Sequence, residues 1–489
     1  MAGGPGWLAG MDSDSGAGLL HRLTSADAER GWETPVDDPR LRQDLSPNDP
    51  ATMPPPVKSY PSGLPVLPLP RQLPQPAVSA TAVLAGRPAP GQPLDAAQLG
   101  RVLYLGAGVV RTSQRDWGQA LFRAAGSAGG RFPLELYAST HGVAGVPDGV
   151  HWYDPVQHAL VQLGPPAGGQ ATTLVVTGVP WRTGWRYAER GWRHIYWDAG
   201  TLLSHLIAAA GSAGLQPRLR SLFADAELDE LVGADGVHEF TVALLSFGDG
   251  PPAVHPAGPA VPGCLPAVEF PLCTAAQRAG MATELGPPWP VAAPLPDVPA
   301  SDPLDEVILR RGSQRRMDRR AVLPRQLLDF SMRAAMRGID LPHWVAVHAV
   351  EGVAPGLYRW PDLTTPVRGG ELRDELARVC MDQALAAEAG YVTIAAQHDA
   401  GLDDRGYRTA QLAAGIVEGR LHLAAYALGA TATGMTFYDS EVPGLLGEGA
   451  DLVALLFTCV GVGEYASKAG GLPGAPVEVR SVQPRFTDE

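Results

Sequence analysis

The sequence predicts an α+β fold in which two related blocks of one chain pack against each other as a pseudo-dimer. Three observations predict it: a segment that occurs twice at constant spacing, an apolar helical pattern in each copy, and a β-type run after each helix. Related blocks within one chain usually pack about a pseudo-two-fold axis, as identical subunits do.

The repeat is clearest between residues 189–217 and 404–432, which align at a spacing of 215 residues. The residues shared at that spacing include Gly191 and Gly406, Arg193 and Arg408, and Gly200 and Gly415. The Ala- and Leu-rich part of each copy predicts a helix that is apolar on nearly all sides and therefore buried. The runs FTVALLSFG and DLVALLFTCVGVG, which follow the two helices, predict buried strands.

Proline-rich stretches separate the two blocks. They favour extended backbone and lack the periodicity of helices or strands. The sequence therefore predicts an N-terminal extension over residues 1–80, a first block over 81–249, a linker over 250–303, and a second block with a C-terminal tail over 304–489.

Composition excludes several classes of function. The chain has 489 residues and a formal net charge of −13, so phosphate-rich nucleic acids and anionic membranes would be repelled. Four cysteines without CxxC spacing predict free thiols in a reducing compartment, and the N-terminus has no signal-peptide pattern. We expect a cytoplasmic protein that binds neither nucleic acid nor membrane. No histidine or cysteine pattern predicts a metal site.

Against this acidic background, six arginines occur within residues 310–320. Such a run is either a solvated basic face or an anion-binding site. Guanidinium groups bind phosphate oxygens bidentately, and a serine hydroxyl among them adds a neutral donor. The stretch LRRGSQRRM (309–317) contains both residue types.

Five stretches of the sequence form a recognisable set: VKSYPSGLPVLPLP (57–70), GSAGGRFPLELY (126–137), RYAERGWRHIYWDAG (186–200), LRRGSQRRM (309–317) and GATATGM (429–435). In their order and spacing, over about residues 55–250 and 304–468, they resemble the SagB-type dehydrogenases. That family has a nitroreductase-like flavoprotein fold and oxidises azoline rings in ribosomal peptides. The resemblance implies a tandem nitroreductase-like fold with flavin mononucleotide (FMN) at the interface between the blocks.

The resemblance also implies which residues bind FMN. The family's basic-x-Ser-x-basic phosphate grip matches residues 311–315, a small-residue loop matches residues 127–131, and two backbone amides near flavin N5 match residues 434–435. The cofactor-binding residues predicted in this way are Arg311, Ser313, Arg315, Arg310, Ser127, Ala128, Gly129, Gly130, Arg131, Gly434, Met435 and Lys468. Arg310 is an optional member, and Lys468 is a further phosphate ligand after the last strand.

Comparing the blocks predicts one flavin site rather than two. Opposite the grip, LAGRPAPGQPLD (84–95) contains no serine and only Arg87. Opposite the small-residue loop, we align residues 334–337, in which Met336 and Arg337 replace the glycines. Each half-site is then present once, and the two halves belong to one composite site.

The family's catalytic Lys-Tyr pair corresponds here to Arg186 and Tyr187. Arginine does not lose its proton in proteins, so Arg186 is unsuited to be a general base. We assign Tyr187 as the base and Arg186 as a fixed charge that lowers the pKa of Tyr187 or orients the substrate. A core tyrosine beside a surface arginine is the structural alternative.

The reaction implied by the resemblance is oxidation of a thiazoline or oxazoline to a thiazole or oxazole. A base takes a ring proton, a hydride goes to flavin N5, and molecular oxygen reoxidises the flavin. The partners implied are an azoline-containing precursor peptide and a cyclodehydratase or leader-peptide-binding protein. Two alternatives stay open: an NAD(P)H-dependent nitro or quinone reductase, and a non-catalytic scaffold subunit of a peptide-modifying complex.

Overall fold

The computed structural model describes residues 16–29, 38–42, 44–264, 268–399 and 402–487. Its helices alternate with strands along the chain, in keeping with the α+β prediction. The helices are α1 (Gly16–Thr24), α2 (Ala80–Leu84), α3 (Ala96–Ala107), α4 (Pro180–Tyr187), α5 (Gly191–Ser212), α6 (Asp225–Val232), α7 (Pro271–Ala279), α8 (Leu304–Arg310), α9 (Arg325–Met336), α10 (Arg373–Val379), α11 (Ala384–Glu388), α12 (Asp404–Ala427) and α13 (Val442–Leu446). Short 3₁₀ turns lie at Pro50–Thr52, Ala128–Gly130, Ala188–Arg190 and Asp439–Glu441.

The strands form three sheets. They are β1 (Val66–Pro68), β2 (Val109–Arg115), β3 (Gly118–Arg123), β4 (Leu134–Thr140), β5 (Gly149–Asp154), β6 (Ala159–Gly164), β7 (Thr173–Gly178), β8 (Pro217–Arg220), β9 (Phe240–Phe247), β10 (His343–Val347), β11 (Gly356–Arg359), β12 (Arg368–Gly369), β13 (Tyr391–His398), β14 (Thr431–Met435), β15 (Leu452–Gly461) and β16 (Val477–Glu478).

Two of the sheets have the same topology. The first has the order β1-β6-β5-β4-β7-β9-β8, and the second has the order β12-β11-β10-β13-β15-β14. All neighbours in both sheets are antiparallel. Apart from β1, each strand of the first sheet has a counterpart in the second, so the prediction of two related α+β blocks is confirmed.

The long helices α5 and α12 pack against each other at the centre of the molecule. Their Ala- and Leu-rich sequences give helices that are buried on nearly every side, as the pattern predicted. Helix α12 is capped by Asp403, whose side chain accepts a hydrogen bond of 2.6 Å from the Gly406 N–H. The largest apolar core includes residues of both blocks, and each sheet has a further apolar cluster of its own.

The contact between α5 and α12 is self-complementary. A Cβ at Gly200 would overlap the backbone of Gly415, and a Cβ at Gly415 would overlap the backbone of Trp197. The Ser204 hydroxyl also reaches across and donates to the Ile416 carbonyl at 3.0 Å. Gly200 and Gly415 are equivalent in the repeat, so the pseudo-two-fold axis passes where the two helix backbones are closest.

Segments outside the two sheets tie the blocks together. Strand β1 adds an edge to the first sheet, and β16 near the C-terminus pairs with β2 of the first block. Block boundaries at residues 81, 249 and 304 remain a proposal. No helix within the described ranges is both long and apolar enough to cross a lipid bilayer.

We predict that Gly415→Ala destabilises the protein by about 3 kcal/mol, because the added methyl group would displace the backbone of the facing helix. Gly211→Ala is the matched control: it lies on α5, and its Cβ would be 3.6 Å from the Val83 side chain, an ordinary contact. The control should be neutral or stabilising by up to about 1 kcal/mol, since alanine favours helix. Urea unfolding of both variants measures the difference, and equal effects would contradict the close-packed axis.

Candidate functional site

The segment predicted as a phosphate grip follows directly after α8 of the second block. Arg311 is buried, and its guanidinium donates to the carbonyl of Ala124 from Nε at 3.2 Å and from Nη2 at 2.8 Å. Ala124 belongs to the first block and follows β3. Ser313 is exposed and Arg315 is half-buried. The second block therefore presents its basic segment to the first.

The small-residue loop of the first block meets this segment. A Cβ on Gly126 would be 3.2 Å from the Arg311 guanidinium and 3.8 Å from the Ser313 hydroxyl. Gly129 and Gly130 have φ angles of +57° and +65°, which favour glycine. The structure thus brings together two motifs that are about 180 residues apart in the sequence.

Asp198 of α5 holds the loop in this shape. Its carboxylate accepts from the Ser127 hydroxyl at 2.5 Å and from the Ala128 N–H at 2.9 Å. The Ser127 oxygen in turn accepts from the Phe132 N–H at 2.7 Å. Sequence reasoning missed Asp198 as a site residue.

The predicted catalytic pair lies against the same loop. Tyr187 ends α4, and its hydroxyl would be 2.6 Å from a Cβ placed on Gly129. The Arg186 side chain would be 2.8 Å from that same Cβ. Glycine at position 129 therefore leaves the space that both side chains use. The Tyr187 ring packs edge-on against His194, with ring centroids 4.0 Å apart.

The charge of Arg186 lowers the pKa of Tyr187, in the expected direction, but it does not decide the net shift. Burial raises the pKa of Tyr187 above its ordinary value, and the charges of Arg186 and Arg315 only partly oppose this. The nearby charge of Asp198 raises the pKa of Tyr187 further. Tyr187 is therefore a neutral phenol at neutral pH.

Three other predicted residues make contacts of their own. Arg310 forms an ion pair with Asp302 at 2.8 Å, and the Lys468 ammonium donates to the Glu478 carbonyl at 3.1 Å. These contacts do not bring the Arg310 or Lys468 side chain to the phosphate grip at residues 311–315. Arg131 stacks over the Trp185 ring at 4.8 Å and donates from Nε to the Gly129 carbonyl at 3.3 Å.

Gly434 and Met435 lie on β14, where a second carboxyl group that we did not predict is found. The Gly434 N–H donates to the Glu418 carboxylate, and Glu418 leaves no room for a Cβ on Gly434. To serve a bound group, this amide would have to release Glu418. The glycine is thus explained by the approach of Glu418 to the strand.

Asp198 and Glu418 form a pair of buried acids at the block interface. Burial raises the pKa of Asp198 to about 7. Burial, and then the charge of Asp198, raise the pKa of Glu418 to about 8, and Arg311 partly opposes this rise. Two desolvated carboxyls close enough to interact do not both ionise readily at neutral pH.

His422 connects this pair to the basic segment. Burial and the Arg311 charge hold the pKa of His422 well below its ordinary value, so the ring is neutral. Its Nδ1 lies 3.5 Å from Arg311 Nη1 and accepts from it, and its Nε2 lies 3.6 Å from a Glu418 oxygen. His422 therefore lies between Arg311 and Glu418, and its buried Nε2 makes no hydrogen bond.

The repeat held a signal for both acids. At the spacing of 215 residues, Asp198 corresponds to Ala413 and Glu418 corresponds to Leu203. Each acid lies on an otherwise apolar helix, and the equivalent position of the other helix is apolar. A buried carboxylate in one copy alone indicates that the two copies have different functions at that position.

Comparison with known proteins places this architecture. No family model matches the chain. A protein of Methanocaldococcus jannaschii provisionally assigned as a nitroreductase is 26% identical over 171 residues, covering 32% of this chain and 81% of that protein. A crystal structure of a protein from Anabaena variabilis, also provisionally assigned as a nitroreductase, aligns with 92% of this chain and 100% of its own, with a TM-score of 0.68 and 22% identity. The chain has the nitroreductase-like fold.

A third similarity is much weaker. The E. coli microcin synthetase McbBCD complex with truncated pro-MccB17 bound aligns with 44% of this chain and 77% of the matched chain, with a TM-score of 0.27 and 14% identity. An overlap this low bears on neither fold nor function.

The pseudo-two-fold symmetry of the fold relates the composite site to a second, equivalent position. For that second position, one part of our sequence alignment of the two blocks is wrong. Residues 334–336 lie inside α9, the counterpart of α3, and not in a loop. The alignment failed because the β2–β3 hairpin is inserted before β4 and has no counterpart before β10. The true counterpart of the small-residue loop is residues 337–342, between α9 and β10.

The linker covers this second position. Arg87, in the stretch of the first block opposite the phosphate grip, donates to the carbonyls of Leu295 and Pro296 at 2.8 and 2.6 Å. Arg337, from the other block, donates to the Ala292 carbonyl at 3.0 Å. Residues 290–296 therefore contact both halves of the second position.

We predict that Asp198→Asn makes the free energy of unfolding less dependent on pH. The native carboxyl keeps its proton up to about pH 7, whereas an unfolded aspartate loses it near pH 4, so stability falls as pH rises between these values. One such group contributes a slope of about 1.4 kcal/mol per pH unit. Urea unfolding from pH 5 to 8 should give a shallower decline for the variant.

Asp229→Asn is the matched control for this measurement. Asp229 is buried elsewhere, bonds to Thr241, and has a pKa also raised to about 7. It should flatten the same pH window independently, and the double variant should show the sum of the two effects. A wild-type slope in Asp198→Asn would show that this carboxyl does not hold a proton.

Proposed function

We propose that the chain is an FMN-dependent oxidoreductase that oxidises thiazoline or oxazoline rings of a precursor peptide. The observation that carries the proposal is that Arg311 and Ser313 lie beside Gly126: a Cβ placed on Gly126 would be 3.2 Å from the Arg311 guanidinium and 3.8 Å from the Ser313 hydroxyl, so the two motifs of the composite site lie next to each other. The M. jannaschii relative and the A. variabilis structure support a nitroreductase-type chemistry at the coarser level. The azoline substrate rests on the resemblance of the sequence motifs.

The residues of the composite site fit a flavin phosphate and ring. The Arg311 guanidinium and Ser313 hydroxyl supply donors suited to phosphate, and glycine at positions 126 and 129 lets Arg311, Tyr187 and Arg186 lie close to the small-residue loop. The charge of Arg315 lowers the pKa of Tyr187. Arg315 forms no ion pair within the part of the chain that the structure describes. We propose that these residues hold FMN, which when bound supplies a two-electron acceptor.

Oxidation of an azoline ring also releases a proton, which the chain has to accept. We propose that Tyr187 takes this proton, with Arg186 as its electrostatic partner. Since the phenol of Tyr187 is neutral at rest, it has to pass a proton on as it receives one. Asp198 acts electrostatically on Tyr187 and has a pKa of about 7, so it is suited to receive that proton.

The first test concerns cofactor stoichiometry. We expect one FMN per chain, because the linker already contacts both halves of the second position. Ser313→Ala, an exposed change, should weaken FMN binding several-fold, and Arg311→Ala should weaken it about 10- to 100-fold through loss of a charged hydrogen-bond donor. Arg87→Ala, at the counterpart position, is the control and should leave FMN affinity unchanged. Titration of the apo-protein followed by flavin fluorescence gives all four values.

Two FMN per chain would contradict the single composite site. A protein that cannot be reconstituted with FMN would favour the scaffold alternative. No observation on the described residues supports that alternative.

The second test concerns turnover. Tyr187→Phe should lower azoline oxidation by about 100-fold or more while FMN affinity stays within two-fold, because only the proton-transfer group is removed. Tyr196→Phe is the control: Tyr196 is buried on α5, bonds to Gln277 at 2.9 Å, and should retain activity. Anaerobic mixing with an azoline peptide, followed by flavin absorbance, measures the rate. An undiminished rate in Tyr187→Phe would remove this residue from the mechanism, and rapid bleaching by NAD(P)H alone would favour the reductase alternative.

A further inference from the structure

The β2–β3 hairpin is an insertion of the first block that lies beside the composite site. Its sheet has the order β16-β2-β3, so β3 is an edge strand, and no described residue pairs with its outer side. Phe122 of β3 packs edge-on against Phe132, with centroids 6.5 Å apart, and lies 4.0 Å from a Cβ placed on Gly130. The edge therefore leads to the loop that Tyr187 contacts.

Strand β3 itself has little of the usual protection against pairing, since the one irregularity of its ladder lies on the β2 side, between Val109 and Arg111. Proteins block exposed edges with charged side chains, prolines or bulges. Strand β3 reads GQALFR, and its single charged residue, Arg123, is buried and donates to the Leu134 carbonyl at 2.9 Å. Trp117, at the hairpin tip, is 47% exposed. Such an edge is suited to accept an added strand.

Three arginines beside the edge lack acidic partners. Arg115, Arg131 and Arg186 form no ion pair with any residue that the structure describes, and Nε of both Arg115 and Arg186 is buried without a hydrogen-bond partner. Arg131 donates to the Gly129 carbonyl at 3.3 Å, and the Arg186 side chain would be 2.8 Å from a Cβ placed on the same glycine. The charges of Arg186 and Arg115 both lower the pKa of Arg131, in keeping with this proximity. Asp116, which follows Arg115, makes no ion pair with them. In a chain of net charge −13, this cluster is a local positive surface.

We propose that the edge of β3 and the Arg115, Arg131 and Arg186 cluster together bind an extended, acidic segment of the peptide substrate as an added strand. Backbone hydrogen bonds to β3 would align the segment, and its carboxylates would meet the guanidinium groups. Pairing of two copies of this chain through β3 is disfavoured because it would bring two arginine clusters together. This inference rests on the proposed function for the peptide substrate.

The test uses binding to the FMN-loaded chain, without turnover. The probes are a fluorescein-labelled peptide of alternating Glu and Val, its Lys-Val counterpart, and the Glu-Val peptide with every second amide N-methylated. Fluorescence anisotropy should show at least ten-fold tighter binding of the Glu-Val peptide than of either other probe. Its affinity should fall between 50 and 300 mM salt, because the contact is electrostatic.

Charge reversal identifies the surface. Arg115→Glu should weaken binding of the Glu-Val peptide at least five-fold, since Arg115 belongs to the cluster. Arg333→Glu, an exposed change on α9, alters the net charge equally and should stay within two-fold of the wild type. Circular dichroism of both variants checks that the hairpin substitution has not unfolded the chain.

Several outcomes would overturn the inference. Equal binding of the Glu-Val and Lys-Val peptides would exclude the arginine cluster, and equal binding of the N-methylated peptide would exclude the strand edge. Sedimentation as a dimer that Arg115→Glu strengthens would assign the edge to a second copy. Azoline turnover without a preference for acidic peptides would contradict this inference and leave the proposed function intact. Binding of acidic peptides without any azoline turnover would contradict the proposed function alone.

Discussion

The packing of α5 against α12 is the contact on which the rest of the structure depends. Glycine at positions 200 and 415 lets two helix backbones approach until a single methyl group would not fit. This approach fixes the pseudo-two-fold axis, and the axis decides which loop of the first block meets which segment of the second. The composite site is a consequence of this geometry, since neither block contains both of its halves.

The same close approach creates an electrostatic cost at the site. Asp198 and Glu418 project from the two central helices into a region that water does not reach, and burial raises the pKa of both. Each acid is retained with specific donors: Asp198 orders the loop at residues 127–128, and Glu418 accepts directly from the Gly434 amide. Desolvated acids with pKa values near neutrality are typical of sites that hold or transfer protons.

Duplication gave two equivalent positions, and the chain treats them differently. At the composite site, Arg311 meets glycines and an exposed serine. At the second position, Arg87 and Arg337 both donate to carbonyls of the proline-rich linker. Proline suits this task because an extended segment leaves carbonyls free as acceptors while lacking N–H groups that need partners. The fold is pseudo-symmetric, but the composite site and the second position have different residues and different contacts.

The sequence by itself determined the α+β class, the duplication and the buried central helices, because these follow from hydrophobic periodicity and from a constant spacing of 215 residues. It also placed Arg311, Ser313 and Gly129 among the site candidates. Only the tertiary structure decided the register around the inserted β2–β3 hairpin, because an insertion breaks constant spacing. The structure likewise decided the net pKa of Tyr187 and the partnership of Asp198 with Glu418. Burial and through-space charge depend on how distant segments pack, and no local pattern in the sequence encodes them.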